Sequence, residues 1–400
     1  MSALRGFRII ELAEGVAGEY CGKLLADFGA EIIKVERPGT GSPTRAMAPI
    51  IEKAGADSVE TSGLFAYLNT NKKSVTLDLT QSADRETMHR LIAAADVVID
   101  DHPDAWAAEL GLGAEVRDDR HPGVVFCSIT PFGANAPAGW ETAKSLNVFH
   151  TGGWGYHTPT AADPARPPLK GAGRFNADYE AAIDAALCVV SSLYWRKRSG
   201  LGQSIDISTR EVLLSRCDSV FGRILAGESE ASSARTAYDM GGPAAAFRCA
   251  DGFVYLMVLH SGHWAAMKQL MGQPAWMDEF ADTWLEFACT DEAVDKFRAG
   301  FGAWVADKEK DKTSEDAQKL GVPLTPVNDA SDLHRSPQFQ HRQFFQELEH
   351  AVLGTALYPT TPYKLSASPT RLVSAAPRLG EQGDEILIET TRGSARPVGA

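Results

Sequence analysis

The sequence predicts an α/β fold, with a parallel sheet in a large domain and a smaller α+β domain after it. Three observations predict this fold. The chain opens on a strand, a helix and a strand in close succession, this alternation continues to about residue 130, and the sequence changes character past about residue 225. A strand–helix–strand unit places its strands side by side and parallel, with the helix as the crossover.

The first β-α-β unit occupies residues 7–36. Residues 7–12 predict a buried strand, apolar residues from 20 to 28 recur at helical spacing, and residues 31–36 predict a second strand. The turn at residues 15–18, Gly-Val-Ala-Gly, opens the helix, where backbone N–H groups are suited to a phosphate. Because the full G-x-G-x-x-G pattern is absent, a plain β-α turn is an equal alternative.

The alternation continues with longer connections. Residues 37–62 are rich in Pro, Gly, Ser and Thr and predict a long loop, which in a compact domain is usually functional. Residues 131–175 predict an irregular stretch. The other predicted elements of this part are strands at 74–79, 97–99, 124–129 and 203–207, and a helix at 81–95.

A long helix begins near Asp178. We expect its apolar residues to form one stripe, and we expect Gly200 to end the helix after a basic run. The stripe consists of Tyr179, Ala182, Ile183, Ala186, Leu187, Val190, Leu193 and Tyr194. Asp178 itself has two interpretations. Asp is a favoured N-cap residue, and a helix N-terminus also stabilises an ionised carboxylate that can act as a nucleophile.

The second domain follows the change of character. Residues 253–258 predict a strand, several helices follow to about residue 320, and a short last helix is predicted near residues 385–387. The expected organisation is a large domain at 1–200, a linker at 201–225, a small domain at 226–325, and a second linker with a return to the large domain at 326–400.

The bulk composition excludes several classes of protein. The 400 residues are 44% hydrophobic and 23% charged, as in ordinary globular proteins, and the net charge of −13 argues against nucleic acid as a partner. Charges interrupt every apolar run, so neither a membrane span nor a secretory signal is expected. The six cysteines show no CxxC pair or Cys/His cluster, which predicts free thiols in a cytoplasmic protein and no metal site.

Glu36 and two lysines are further candidates. Glu36 ends the second strand, where a dinucleotide-binding fold places its ribose-binding acid, so an NAD(P)-dependent oxidoreductase is one alternative function. Lys72 and Lys73 precede a strand and form either a solvated face or point charges for the phosphates of an anionic cofactor. No H-E-x-x-H or G-x-S-x-G motif supports metal-dependent hydrolysis or a serine triad.

Several segments, in family order, resemble class III CoA-transferases. They are 4–12 (LRGFRIIEL), 24–39 (LLADFGAEIIKVERPG), 68–75 (LNTNKKSV), 177–179 (ADY), 198–207 (RSGLGQSIDI), 249–254 (CADGFV) and 342–345 (RQFF). They cover nearly the whole chain, and they are specific together although no single one is. The family includes formyl-CoA transferase, carnitine CoA-transferase and alpha-methylacyl-CoA racemase.

The resemblance implies a fold, a partner and a ligand. Members of the family have a Rossmann-like large domain and a small domain joined by two linkers, and two chains form a homodimer of interlocked rings. The implied substrates are an acyl-CoA and a small carboxylic acid, with no tightly bound cofactor. The residues that match the CoA site are Val16, Ala17, Arg37, Leu68, Asn71, Lys72 and Lys73.

The resemblance also implies that Asp178 is the catalytic nucleophile. Its carboxylate would attack the donor thioester to give a mixed anhydride, and the CoA thiolate would then convert the anhydride into an aspartyl-CoA thioester. Gly241 and Gly242 resemble a glycine-bearing loop that covers this site in some members.

Three departures from the family pattern bear on function. Racemases carry a His-Asp pair where this chain has Lys144-Ser145, which weakens the alternative of a 2-methylacyl-CoA racemase because proton exchange needs a base and an acid. The family's Asn-Phe-x-Pro-Gly is replaced by residues 101–105 (DHPDA), and a basic residue further on by Glu109. The usual Asp-Tyr-x-x-Gly is altered at residues 178–182 (DYEAA). A catalytically silent CoA-binding subunit is a further alternative.

Overall fold

The chain folds into two compact units. The structure is a computed structural model, and it describes residues 2–52, 55, 57–134, 136–157, 173–217, 222, 225–227 and 243–391. The large unit combines Met1–Arg235 with Gln343–Ala400, and the small unit is Thr236–Arg342. In chain order the elements are β1 Arg8–Glu11, α1 Val16–Asp27, β2 Glu31–Glu36, α2 Gly63–Leu68, β3 Lys72–Thr76, α3 Ser82–Ala93, β4 Val97–Asp100, α4 Asp104–Glu109, α5 Ala114–Arg120, β5 Val125–Thr130, α6 Ser145–Thr151, α7 Trp154–His157, α8 Asn176–Ser199, β6 Ser204–Ser208, α9 Thr209–Ser215, β7 Ala245–Cys249, β8 Gly252–Leu256, α10 Ser261–Met271, α11 Trp284–Phe287, α12 Asp291–Val305, α13 Lys310–Lys319, β9 Leu324–Val327, α14 Ala330–Arg335, α15 Pro337–His341, β10 Phe345–His350, β11 Gly354–Pro359 and α16 Gly383–Thr391.

The large unit is built on a six-stranded parallel sheet with the order β3-β2-β1-β4-β5-β6. The predicted α/β fold with a parallel sheet is confirmed. Ile10 of β1 lies between Ile33 of β2 and Val98 of β4, and β1 is buried along its whole length. The strand order reverses between β1 and β4, and such a switch point opens a crevice at the carboxyl ends of the strands. Residues 201–225, which the sequence assigns to a linker, contribute β6 and α9 to this unit.

The C-terminal segment closes the β3 edge of the sheet. The backbone N–H of Asn71 donates to the carbonyl of Ser374 (3.1 Å), and the N–H of Ser74 donates to the side chain of Gln382 (2.9 Å). α16 then packs against α3 and β3. Exposed edge strands invite pairing with other chains, and this segment covers the exposed backbone of β3.

The small unit has its own hydrophobic core. Its sheet has the order β7-β8-β9 and is antiparallel. Trp264, Trp284, Phe297 and Phe301 are almost fully buried in this core. The Trp264 ring contacts Trp284 and Phe297 edge-on, and the Phe297 ring stacks on Phe301. The predicted strand and helices of this region are confirmed.

Two expectations hold only in part. Of the predicted apolar stripe of α8, Ala182 and Leu193 are buried in the core with Ala181 and Ala185, because alanines allow the helix to approach α1 and β5 closely. Of the predicted stripe, Leu187 and Tyr194 remain 65% and 66% exposed. The described part of the stretch 131–175 is also more regular than expected, since it contains α6 and α7. Within the described residues, no helix is long and apolar enough to cross a membrane.

Candidate active site

The N-termini of α1 and α8 lie at the same edge of the sheet. A crossover helix runs antiparallel to its strands, so it begins at their carboxyl ends, where the switch point lies. Val16, in the first turn of α1, belongs to one apolar cluster with Phe175 and Tyr179, which flank Asp178. The predicted nucleophile and the predicted CoA loop are therefore brought together.

Asp101 occupies the N-terminus of α1. Its carboxylate accepts hydrogen bonds from the backbone N–H groups of Glu14 (2.9 Å) and Gly15 (2.6 Å). A Cβ at Gly15 would lie 2.7 Å from Asp101 Oδ2, so this close approach requires glycine. Burial raises the pKa of Asp101 to about 6, although His102 and these N–H groups oppose the rise. The Asp101 carboxylate thus binds the backbone N–H groups at the turn where the sequence predicts a possible phosphate site.

His102 links the loops that follow β1 and β4. Its Nδ1 lies 2.7 Å from Asp100 Oδ1, and its Nε2 lies 3.3 Å from Glu14 Oε2. Burial alone would lower the pKa of His102, but the hydrogen bonds to Asp100 and Glu14 outweigh burial and raise the pKa to about 10. The ring is therefore a cation at neutral pH. Asp100, Asp101 and His102 have the spacing of metal ligands. Both ring nitrogens of His102 are engaged by Asp100 and Glu14, so neither is free to coordinate a metal in this arrangement.

A cavity opens beside His102. Its volume is about 610 Å³, and Arg37, Arg85, His102 and Trp106 are among the residues that line it. The His102 ring stacks on Trp106 with 3.6 Å between centroids. Arg37 pairs with Glu14 at the rim, and its side chain is 61% exposed. Sequence reasoning missed Trp106, although a tryptophan four residues after His102 was visible in the chain.

Lys72 and Lys73 point in different directions. Lys72 is enclosed: its ammonium donates to Glu11 (2.7 Å), to Asn69 Oδ1 (2.8 Å) and to a backbone carbonyl, so it is neither a solvated charge nor free for a phosphate. Lys73 is 34% exposed and pairs with Glu31, at the amino end of β2. Arg37 follows the carboxyl end of the same strand, roughly 17 Å away. The structure does not bring Lys73 and Arg37 together.

Leu68 and Asn71 are structural supports in this arrangement. Leu68 is buried and packs in the same cluster as Val16. Asn71 has a left-handed backbone (φ 64°), and its amide donates to Asp27 (2.8 Å) and to the carbonyl of Arg371 (2.8 Å). Ala17 is buried in the first turn of α1.

Glu36 is not available to a ribose. It is buried, it pairs with Arg45 through bonds of 2.7 and 2.9 Å, and it accepts a bond of 2.6 Å from Ser74. Burial raises the pKa of Glu36, but Arg45, Lys34 and Ser74 lower it overall. The observation that suggested a dinucleotide site therefore has a structural explanation.

Asp178 lies in the first turn of α8, but it does not cap the helix, because the N-cap is Phe175. Its Oδ2 atom is buried without a hydrogen-bond partner among the described residues, whereas the residue as a whole is partly exposed. Burial raises the pKa of Asp178, and a hydrogen bond from Ser145 and its own N–H group oppose the rise. The helix N-terminus favours the ionised form. This is a poorly satisfied carboxylate, which suits a nucleophile.

Gly241 and Gly242 lie outside the described residues, as does the segment 158–172 that precedes Asp178 closely in the chain. Asp178 does not line the 610 Å³ cavity.

The comparisons with known proteins agree over the full length of the chain. A family model described as CoA-transferase family III matches residues 4–383. Succinyl-CoA:(R)-benzylsuccinate CoA-transferase subunit BbsE of Thauera aromatica is 29% identical, covering 96% of this chain and 93% of its own. Succinyl-CoA:mesaconate CoA-transferase of Haloarcula marismortui is 28% identical, covering 97% and 96%.

A human protein and a solved structure also match nearly the whole chain. Succinyl-CoA:glutarate CoA-transferase of Homo sapiens is 26% identical, covering 99% of this chain and 88% of its own. The crystal structure of a CAIB/BAIF family protein from Brucella suis matches with a TM-score of 0.80 and 27% identity, covering 97% of this chain and 99% of that one. Neither the racemase nor the oxidoreductase alternative is favoured by these findings.

Proposed function

This chain belongs to CoA-transferase family III and is an enzyme that transfers CoA, and on that premise we propose that Asp178 carries the CoA between two carboxylic acids. The observation that supports this role most strongly is the state of the carboxylate. It lies in the first turn of a long helix, one of its oxygens is buried without a partner, and it is adjacent to the CoA loop through the cluster around Val16.

The proposed reaction is a double displacement at Asp178. The carboxylate attacks the thioester carbon of the donor, the C–S bond breaks, and CoA leaves as a thiolate while a mixed anhydride forms. The thiolate attacks the aspartyl carbonyl, which releases the donor acid and leaves an aspartyl-CoA thioester. The acceptor carboxylate reverses these steps. No proton is transferred, and the thioester energy is retained because covalent capture replaces hydrolysis.

CoA is proposed to bind at the switch point. Val16 and Ala17 lie in the first turn of α1, whereas Arg37 lines the cavity beside His102 together with the aromatic ring of Trp106 and the further cation Arg85. The aromatic ring suits stacking with an adenine, and the cationic side chains suit phosphates.

The remaining residues of the proposed CoA site would act from within the fold. Leu68 packs beneath Val16, and Lys72 holds Glu11 under α1. Asn71 ties the C-terminal segment to β3. Asn71 and Lys73 are partly exposed, whereas Leu68 and Lys72 are buried.

Succinyl-CoA is the proposed donor. The relatives named above share succinyl-CoA, whereas their acceptors differ: (R)-benzylsuccinate, mesaconate and glutarate. The acceptor is therefore proposed only as a small carboxylic acid.

The proposal includes a homodimer of interlocked rings. α8 leaves Ile183, Leu187, Val190 and Tyr194 exposed at spacings of four, three and four residues. Residues at this spacing lie on one face of a helix. An apolar face of this kind is typical of a surface that another protein covers, and a second copy of this chain is the proposed partner.

Isotope exchange tests the function without knowledge of the acceptor. The enzyme is incubated with succinyl-CoA and ¹³C-labelled succinate, and label entering succinyl-CoA is measured by mass spectrometry. We expect label to enter with the wild type and not with Asp178→Ala. Asp184→Asn, an acid on the same helix that pairs with Arg216, should retain exchange. Exchange by Asp178→Ala at the wild-type rate would reject the role of Asp178.

A further inference from the structure

Arg174 is an exposed cation close to the proposed nucleophile. It precedes Asp178 by four positions, and four residues of chain span at most roughly 14 Å. Its Nη2 donates to the backbone carbonyl of Ala48, and its guanidinium lies over the ring of Phe175, 5.2 Å from the centroid. Among the described residues it has no carboxylate partner, so its charge is available to a ligand.

These two contacts place the guanidinium at the edge of the apolar cluster around Val16. Phe175 belongs to this cluster, as does Met47, which precedes Ala48 in the chain. The cluster joins the start of α8 to the first turn of α1, which carries the proposed CoA loop. Arg174 is therefore held at the same edge of the sheet as that loop.

Most other cations on the neighbouring elements are neutralised by carboxylates. Lys144 before α6 and Arg210 of α9 resemble Arg174 in that they make no ion pair within the described ranges of the chain, but neither lies on the segment that carries Asp178. The neutralised cations are Lys23 of α1, which pairs with Asp27, Arg37 and Arg45 after β2, which pair with Glu14 and Glu36, and Arg216 of α9, which pairs with Glu180.

The position of Arg174 is unfavourable for a cation on grounds of helix stability. α8 begins at Asn176, and a helix N-terminus carries partial positive charge, which repels a cation. The bond to the Ala48 carbonyl uses one of the five N–H donors of the guanidinium. The planar fork of the remaining donors has the geometry that binds a carboxylate through two parallel hydrogen bonds.

A succinyl group would bring a second carboxylate to a site that already holds one. Two negative charges a few ångströms apart repel each other, and a nearby guanidinium offsets that repulsion. The methylene groups between the two ends of such a substrate need an apolar surface. The partly buried rings of the cluster around Val16 provide one, and they are Tyr20, Tyr67, Phe175 and Tyr179.

We propose that Arg174 is a specificity-determining residue: its guanidinium binds the distal carboxylate of a dicarboxylic acid whose other carboxyl group reacts at Asp178. This inference rests on the proposed function of the site and deepens it, because it makes both the donor and the acceptor dicarboxylic acids. A methyl group in place of the distal carboxylate accepts no hydrogen bond, so a monocarboxylic acid of the same length would leave the guanidinium without its partner.

Competition between two acceptor acids in the full-length enzyme tests this role. Wild type and Arg174→Met are incubated with succinyl-CoA and equal concentrations of ¹³C-labelled succinate and butyrate, which has the same four-carbon chain with a terminal methyl group. Mass spectrometry measures the initial ratio of labelled succinyl-CoA to butyryl-CoA. Both acids react with the same enzyme–CoA intermediate, so this ratio is independent of the donor step. We expect the wild type to favour succinate and Arg174→Met to lower the ratio roughly 10- to 100-fold.

Two further variants separate charge, geometry and support of the fold. Arg174→Lys keeps the charge but not the fork, so an intermediate fall in the ratio is expected. Arg210→Met is the matched control, because Arg210 makes the same two kinds of contact. It donates to the carbonyl of Thr151 (3.2 Å) and lies 6.0 Å from the ring centroid of Phe132. Its substitution should leave the ratio unchanged.

Three results would overturn the inference. The first is an unchanged product ratio in Arg174→Met, even with slower turnover, since that would mean that Arg174 only supports the loop at Ala48. The second is equal use of succinate and butyrate by the wild type. The third is a fall of the ratio in Arg210→Met but not in Arg174→Met, which would place the distal carboxylate at α9.

The two proposals fail separately. If Asp178→Ala abolishes exchange while Arg174→Met keeps the wild-type ratio, only the specificity role is wrong. If Asp178→Ala retains exchange, the proposed nucleophile is wrong, whereas a lowered ratio in Arg174→Met would still support binding of the distal carboxylate by Arg174.

Discussion

Asp178 illustrates how burial makes a side chain both reactive and costly. Burial raises its pKa, so the folded protein holds a proton on this carboxyl more tightly than the unfolded chain does. In the proposed mechanism this carboxyl is nevertheless needed as an anion at neutral pH. A nucleophile with this environment contributes a cost to folding, as functional sites often do.

Asp178→Asn should therefore stabilise the fold at neutral pH. Asparagine keeps the size of the side chain and removes the buried charge, so we expect a higher melting temperature than for the wild type at pH 7. A group whose folded pKa is raised costs stability above that pKa, and the cost vanishes as pH falls below the unfolded value of 3.8. The gain should accordingly shrink toward acid pH.

Thermal unfolding of Asp178→Asn and Asp184→Asn between pH 3.5 and pH 8 checks this expectation. Asp184 is paired with Arg216, so its substitution should not raise the melting temperature. A gain for Asp178→Asn that is independent of pH, or no gain at pH 7, would contradict the explanation.

The sequence predicts Asp178 and the switch-point loop as site residues, but it does not predict the tertiary contacts that surround them. A helical pattern and a resemblance located the aspartate at the start of a helix. α6, which packs against the start of α8 through Val148 and Ala177, lies in a stretch predicted to be irregular. The Asp101 bond to Gly15 spans 86 positions. Contacts of this kind depend on tertiary packing, which local patterns do not encode.

At the scale of elements, β3 places adjacent lysines in opposite environments. Successive residues of a strand point to opposite faces. Lys72 points inward to Glu11, and Lys73 points outward to Glu31 and Glu385. Sequence alone could not distinguish them, because both precede the same apolar residues.

Lys72→Met should destabilise the protein far more than Lys73→Met. Removing Lys72 leaves Glu11 with Lys34 as its remaining partner and weakens a buried network, which typically costs about 3–5 kcal/mol. Lys73 contributes surface pairs, which are worth about 1 kcal/mol or less. Urea unfolding of the two variants under one condition measures the difference. Similar losses for both lysines would contradict the buried arrangement.

In α8 the helix is predicted correctly, but most of its large apolar side chains lie on the exposed face and not in the core. The periodicity of Ile183, Leu187, Val190 and Tyr194 is real, but it marks the exposed side of the helix. Alanine gives only a weak apolar signal in sequence, yet Ala181, Ala182 and Ala185 are packed in the core. A surface stripe of large apolar residues resembles a core stripe whenever a partner chain covers it.

At the scale of the whole molecule, the large unit is assembled from two distant parts of the chain. Residues 343–391 cover the β3 edge and add α16, so this edge is covered only when the chain has returned from the small unit. A discontinuous unit of this kind fits the proposed ring, in which a second chain would be threaded.

The exposed stripe on α8 predicts the effect of Leu187→Glu on assembly. A charge on this face should oppose burial against a second copy. Interlocked rings separate only if a chain opens, so the variant is unfolded in urea, refolded, and analysed by sedimentation velocity. We expect a smaller dimer fraction than for the wild type. Val373→Glu, at a position 74% exposed in the C-terminal segment, is the control and should refold as the wild type does. An unchanged dimer fraction for Leu187→Glu would place the interface elsewhere.

The most direct test of the account is the location of the CoA that the enzyme carries during turnover. The wild type is incubated with succinyl-CoA, quenched in acid, digested with pepsin at low pH to preserve thioesters, and mapped by mass spectrometry. The account predicts a CoA adduct on the peptide that contains Asp178, its conversion to a hydroxamate by hydroxylamine, and its absence in Asp178→Ala. A CoA adduct on another residue, or turnover by Asp178→Ala without this adduct, would contradict it.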